Sequence, residues 1–369
     1  MYFIIKKDKI LEKLNIVAKA VSTKNLIPAL AGIKFELTDS GLYLTATDND
    51  ITIKAIISND DLVSKKSNGS IVLPGRYILE IIRKCPDEDI TFELIDNLKV
   101  LISTSNYKTN LNGIELSDYP SVDLEENDNF VILKSKILRN IINQTSFAVS
   151  LSEARPIITG VNFKIEDNRL EVTATDSHRL STKVVELSDS INNIVNVTIP
   201  GRNINELKSI LGEEEEINRF FFENKILFKF DDILFQTRIL NGSYPNTAKL
   251  IPTQFELAIK INLNNLYDAV DRISLLSNDY KIRISVMDNV LTVSSTVIEV
   301  GNGEEKIYIE KNNNIDIDFT VNFKFLIEAL KVIEDENIIV YLNGEDKPII
   351  IKGENDNKLT ELLLPILTN

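Results

Sequence analysis

Apolar positions along the chain alternate between two periods. Ile10, Leu11, Leu14, Val17, Ala18 and Val21 keep helical spacing, as do Ile137, Leu138, Ile141 and Ile142, and again Leu263, Leu266, Ala269, Val270 and Ile273. Behind each of these amphipathic helices come runs of period two, folded around tight turns at Asp39-Ser40-Gly41, Asp167-Asn168 and Asp288-Asn289. A second helix is expected after the breaker pairs Pro74-Gly75 and Pro200-Gly201, and after Asn322-Phe323. More strands follow it, such as residues 221–230. The expected helical windows are 6–24, 76–84, 134–144, 198–210, 262–272 and 322–331. Helix, strands, helix, strands describes an α+β domain with its helices on one face of an antiparallel sheet.

The pattern recurs because the sequence does. Residues 27–48 align without a gap on residues 155–176, identical at 9 of 22 positions. A fainter third copy places Asp288, Asn289, Leu291, Val293 and Thr296 on Asp167, Asn168, Leu170, Val172 and Thr175. A second landmark recurs at 73–82 (LPGRYILEII), 199–208 (IPGRNINELK) and 321–330 (VNFKFLIEAL). A period of about 120 residues is too long for a solenoid unit, so whole domains are repeated. The expected boundaries are 1–125, 126–254 and 255–369, at the polar stretch EENDN and after IPT. Three equal sheets in series leave an unpaired edge at each end, and one end could pair with the opposite end of a second chain. Leu111 at one end, and Leu275 and Leu276 at the other, are candidate contacts, although ordinary core leucines would read the same way.

Composition narrows the class. No apolar run approaches 18 residues, and the N-terminus lacks the order of a signal peptide. The single cysteine, Cys85, excludes an intrachain disulfide and a thiolate metal cluster, which fits a reducing cytoplasm. A net charge of −14 argues against a nucleic-acid partner until its distribution is read. The six helical windows carry +4, +2, +3, +1, −1 and +1, a net of +10, which leaves −24 for the remainder. Lys9, Lys13, Lys19, Lys24, Arg76, Arg83, Lys84, Lys134, Lys136, Arg139 and Arg202 lie on or beside these helices. Helices recurring in every domain could present such cations to phosphates without reading bases.

Enzyme chemistry finds little support. His178 is the only histidine, in ATDSHRLS, where the first copy reads ATDNDI and the third SSTVIE. A lone histidine is more often structural than catalytic, but this one marks where the middle copy has diverged. Ser177 and His178 are neighbours on what reads as an extended segment, so their side chains point apart. Asp48 and Asp176 lie in different domains and read most simply as turn residues at strand ends. There is no Walker loop and no His-Glu-x-x-His, and Gly301-Asn302-Gly303 is too weak for a dinucleotide site. One histidine and one cysteine cannot furnish a closed zinc site, so neither metal nor cofactor is expected. The strongly acidic balance also fits a protein-interaction scaffold. The chain ends in ELLLPILTN, either a last core strand or a tail lining an apolar groove.

Taken in order, ATD-x-HRL at 174–180, RPIITG at 155–160, NGSYPNTAKLIP at 241–252, LSND at 276–279, TVNFKFLIEAL at 320–330 and LLLP at 362–365 make the chain resemble the bacterial β sliding clamps. These are processivity subunits of the replicative DNA polymerase III, and the resemblance covers essentially the whole chain. It implies a non-enzymatic ring: three similar domains of DNA-clamp fold per chain, sheets outside, helices on the inner face, closed as a head-to-tail homodimer around duplex DNA. It further implies a pocket for short peptides of the polymerase catalytic subunit, the clamp loader and repair proteins. The positions matching that pocket are Ile158, Thr175, His178, Arg179, Leu180, Pro245, Lys249, Leu250, Asn322, Phe325, Leu363, Leu364, Pro365 and Ile366. DNA-facing positions carry over to Lys24, Arg76, Arg83, Arg202 and the loop Ser150 to Arg155, including Ser152. Two residues depart from the pattern. Ser177 replaces the usual glycine before the histidine, adding a side chain at the pocket floor, and Leu367 stands where an arginine commonly follows.

Overall fold

The computed structural model describes residues 1–22, 27–86, 88–127, 130–187, 194–213 and 216–367. In the first copy β1 (Tyr2–Lys6) runs straight into α1 (Lys7–Val17). There follow β2 (Gly32–Thr38), β3 (Gly41–Thr47), β4 (Ile51–Ser58), β5 (Leu62–Ser67), β6 (Gly69–Pro74), α2 (Gly75–Lys84), β7 (Asp89–Asp96), β8 (Lys99–Ser103) and β9 (Lys108–Asn112). The second copy holds β10 (Phe130–Lys134), α3 (Ser135–Thr145), β11 (Gly160–Glu166), β12 (Arg169–Thr175), β13 (Arg179–Glu186), β14 (Val195–Pro200), α4 (Gly201–Ile210), β15 (Glu216–Phe221), β16 (Lys225–Phe230) and β17 (Ile233–Arg238). The third holds β18 (Leu257–Asn262), α5 (Leu263–Ser274), β19 (Lys281–Met287), β20 (Val290–Val297), β21 (Gly301–Tyr308), β22 (Glu310–Lys311), β23 (Ile317–Asn322), α6 (Phe323–Lys331), β24 (Asn337–Leu342), β25 (Ile349–Gly353) and β26 (Leu359–Leu363).

All six expected helices are present. Each copy nevertheless opens with a strand, not a helix. YFIIK, FVILK and LAIKIN alternate for only five or six residues and then pass into helix with no breaker between. The glycines of the two landmarks are small for packing reasons. A Cβ on Gly75 would lie 2.9 Å from Val21 Cγ2, and one on Gly201 would lie 3.0 Å from the Thr159 carbonyl oxygen. In the third copy Asn322 takes over as helix cap, its side chain accepting from the Lys324 N–H at 3.0 Å.

Every ladder is antiparallel, but the expectation of one sheet per copy does not hold. The described strands form four sheets, ordered β5-β1-β7-β8-β9, then β10-β15-β16-β17-β4-β3-β2-β6, then β14-β11-β12-β13-β26-β25-β24-β18-β22, and β21-β20-β19-β23. In the outer copies the first helix touches strands of two sheets, α1 meeting β1, β3 and β4, and α5 meeting β18 and β19 to β21. A single sheet would cover only one side of such a helix. Buried residues such as Ile10 and Leu14, or Ala269 and Val270, fill these layers. Each large apolar side chain among them contributes roughly 1.5–3 kcal/mol.

Two ladders join successive copies edge to edge, β17 to β4 and β13 to β26. They assemble two compact units, Met1–Ile137 with Glu206–Ile239, and Leu138–Asn205 with Leu240–Asn369. The central copy therefore gives β10 and β15 to β17 to the first unit, and β11 to β14 to the second. Among the described residues no helix is long and apolar enough to cross a membrane. Cys85 is buried, and that burial pushes its thiol pKa up.

Candidate functional site

The second unit holds the diverged turn. β12 ends at Thr175, whose hydroxyl donates to the Arg179 carbonyl at 2.6 Å. Asp176 Oδ1 accepts from the N–H groups of His178 and Arg179 at 2.9 and 3.0 Å. In the first unit Thr47 donates to the Ile51 carbonyl at 2.9 Å, and Asp48 Oδ1 accepts from Asp50 and Ile51 at 3.0 and 2.8 Å. The repeated aspartate is thus a turn residue in both copies, as its position at the strand end suggested. Residue 177 is not extended: Ser177 has φ 78°, and its counterpart Asn49 has φ 73°. That left-handed conformation suits glycine and costs another residue about 1 kcal/mol. The effect of Ser177 falls on the backbone, while its exposed hydroxyl accepts from Arg155 Nη1 at 3.3 Å.

Arg179 ties the turn to its surroundings. It is 8% exposed, and its Nε donates to Asp176 Oδ2 at 3.0 Å. Its other nitrogens reach the Glu328 carboxylate on α6 and the Phe147 carbonyl, the latter at 2.7 Å. The guanidinium also lies 4.3 Å from the centroid of the Phe325 ring and 5.2 Å from that of Phe147. With two carboxylates, a carbonyl and two rings around it, this charge is well compensated. Asp176 is fully engaged in the turn and the arginine, so a Ser-His-Asp arrangement has no support here.

Antiparallel pairing sets Arg179 opposite Leu363 and Leu180 opposite Leu362. Leu180 and Leu362 pack with Ile350, covered by Ile251, Phe255 and Tyr341. The tail is pinned by two backbone bonds, Leu364 N–H to the His178 carbonyl at 2.9 Å and Ile366 N–H to the Thr320 carbonyl at 2.7 Å. Pro365 lies between these anchors. The structure therefore brings together Thr175, His178, Arg179, Leu180, Phe325, Leu363, Leu364, Pro365 and Ile366. Pro245 follows Tyr244, which lies beside the Thr175 backbone and whose phenol pKa is raised by burial. Lys249 and Leu250 are exposed on a short turn just before Ile251. Ile158 is buried, and its carbonyl accepts from the Ser150 N–H at 2.9 Å, which ties it to the adjoining loop. Asn322 uses its side chain as the α6 cap.

Three features escaped the sequence reading: Glu328, Phe147 and a buried polar pair, Ser181 with Glu361. Glu328 could have been found by asking which carboxylate answers a buried Arg179, since it lies one helical turn beyond Phe325. Ser181 Oγ lies 2.7 Å from Glu361 Oε1 and 2.5 Å from the Gln144 carbonyl oxygen. A hydroxyl has one proton to donate, so an ionised Glu361 would leave one acceptor unanswered. Burial pushes the Glu361 pKa well up, against the opposing pull of Ser181 and Arg179. Below that raised pKa the carboxyl carries a proton that it can donate to Ser181, leaving the hydroxyl's own proton for the Gln144 carbonyl.

The remaining expected positions are dispersed. Lys24 lies outside the described residues. Arg76 and Arg83 are exposed on α2, Arg83 paired with Glu80 and donating to Asn15 at 3.2 Å. Ser152 and Arg155 are exposed on their loop, and Arg202 is exposed on α4. The positive surplus of the helices is partly cancelled, because Lys9, Lys13 and Lys19 pair with Asp61, Asp232 and Glu206 at 3.4, 2.7 and 3.8 Å. Leu111 is half-buried on β9, and Leu275 is 82% exposed at the end of α5. Leu276 turns toward β21, where a Cβ on Gly303 would meet it at 2.7 Å. Ile298, in the turn between β20 and β21, and Tyr308, at the end of β21, are more exposed than either leucine and were not anticipated. Among the described residues no group of three or more potential metal ligands occurs.

Family models of the DNA polymerase III beta subunit match the chain in three successive pieces. The N-terminal domain model covers residues 1–123, the central domain model 132–246 and the C-terminal domain model 248–367. The beta sliding clamp of Staphylococcus aureus is 37% identical over 376 residues, with both chains covered in full. The sliding clamp structure from Bacillus subtilis matches with a TM-score of 0.96 at 35% identity, again over 100% of each chain. The beta subunit from Streptococcus pyogenes matches at 0.95 and 30% identity, with the same full coverage. These full-length likenesses carry the same three-domain order as the internal repeat, and the chain belongs to the DNA polymerase III beta-subunit family, the beta sliding clamps of DNA replication.

Proposed function

We propose that the chain works as a non-catalytic clamp: two copies close head to tail around duplex DNA and hold the replication machinery to it. β9 and β21 end their sheets, and the exposed Leu275, Ile298 and Tyr308 near β21 offer an apolar surface to the β9 end, with Leu111, of a second copy. A closed ring needs no tight grip on DNA. Phosphate contacts from Arg76, Arg83, Arg155 and Arg202, with Lys24 and Ser152, would be weak and salt-sensitive, which permits sliding. The family favours this reading over an acidic scaffold that never encircles DNA.

Partners are held, in this reading, at the second junction between copies. One observation carries it: a turn built identically in two copies bears Arg179, Leu180 and a pinned apolar tail in only one of them. Short extended peptides of the polymerase catalytic subunit, clamp loader and repair proteins would dock there. Exchange among partners calls for micromolar affinity, roughly −8 kcal/mol. Removing residues 365–369 is expected to abolish binding of a clamp-motif peptide while light scattering still shows a dimer. Peptide affinity that survives the truncation would take the tail out of the site.

A further inference from the structure

We propose that the peptide site continues past the turn at Thr247–Leu250 into a basic groove that takes acidic residues flanking a partner's motif. This rests on the peptide-docking reading above and extends it. On β13, Leu180 and Thr182 share the face turned away from Arg179 and α6, and they pair in register with Leu362 and Thr360. Ile251 and Phe255 cover Leu180 and also line the groove, a depression of about 440 Å³ that includes Thr182 and Thr360. A peptide seated on Leu250 and on the residues that cover Leu180 thus meets the groove.

The charge of the groove supplies the chemistry. Arg169, Lys352 and Lys358 line it against one carboxylate, Glu171, in a chain of net −14. Arg169, itself exposed, pairs with half-buried Glu171 at 3.3 Å, and Lys358 reaches the exposed Glu186 at 3.7 Å. Exposed pairs of this kind exchange readily with an incoming carboxylate. The first unit has the equivalent depression over Lys54 and Leu234, the pair in the same register place as Thr182 and Thr360. There two cations, Lys34 and Lys54, face three carboxylates, Glu36, Asp123 and Glu125. The sign of the groove is reversed only at the junction that carries the diverged turn.

The test is fluorescence anisotropy of a labelled clamp-motif peptide, bare or extended at either end by four Glu or four Ser residues. At roughly 50 mM salt the Glu extension at one end is expected to tighten binding about tenfold over the Ser extension, and about 500 mM salt should remove the gain. The Arg169→Glu/Lys352→Glu double variant should lose the gain and keep the affinity of the bare peptide, with Lys358→Glu as an independent variant. Equal binding of Glu and Ser extensions at both ends overturns the groove alone. A bare peptide that fails to bind overturns the docking site itself and the groove with it.

Discussion

Across the first ladder between copies Ile53 faces Phe235, both fully buried. In the same register place of the second ladder Ser181 faces Glu361, equally buried. The backbone of the two junctions is alike, down to the Thr and Asp bonds that shape the turn before β4 and β13. Only the side chains differ, and they change how each junction is held. An apolar pair is indifferent to pH and salt. The second junction relies instead on a neutral carboxyl, a hydroxyl and a guanidinium between two carboxylates, each stable only while its partners stay in place. A duplicated ladder tolerates such replacement because its backbone bonds do not read side chains.

The largest expected contrast comes from the two turn aspartates. Asp176→Ala removes two backbone acceptor contacts and one partner of buried Arg179, and should destabilise by about 3 kcal/mol in urea unfolding. Asp48→Ala should lose about 1–2 kcal/mol. Equal losses would mean that the arginine adds nothing to the second junction.

A smaller contrast lies in pH. The unfolded Glu361 carboxyl releases its proton near the ordinary value of about 4.3, whereas the folded one holds it to higher pH. Its contribution is fully present below that ordinary value and declines as pH rises through the folded one, by up to about 1.4 kcal/mol per unit. Glu361→Gln keeps a donor for Ser181 and should flatten this slope in urea midpoints measured across pH. An unchanged slope would show that Glu361 is ionised in the folded chain. Smallest of all, Ser177→Gly should gain about 0.5–1 kcal/mol by relieving the left-handed residue, and Asn49→Gly less, because asparagine tolerates that conformation.

The first helix of each copy was legible from its apolar stripe, and the second from the Pro-Gly pair or Asn322-Phe323 that precedes it. The strands in front of the first helices were not, since a five-residue alternation merges into the helix that follows. The division into four sheets was invisible for another reason. β13 and β26 lie far apart in sequence, and no local pattern states which edges will meet. At the site, the motif residues that end up around the turn were readable as a set. Glu328 and Glu361 were not. A glutamate on an exposed helix reads as solubility, and one opening an apolar strand reads as the strand's polar end. Both acquire meaning only when Arg179 and Ser181 arrive from elsewhere in the chain.

The bond from Leu364 to the His178 carbonyl has a practical consequence. The chain contains one histidine and no tryptophan. In a proton spectrum the imidazole C–H signals therefore all belong to one residue, the very residue that holds the tail. A tryptophan on a bound partner fluoresces against no tryptophan background. Occupancy and tail position can be followed together, in the unlabelled protein, by resonance and by light.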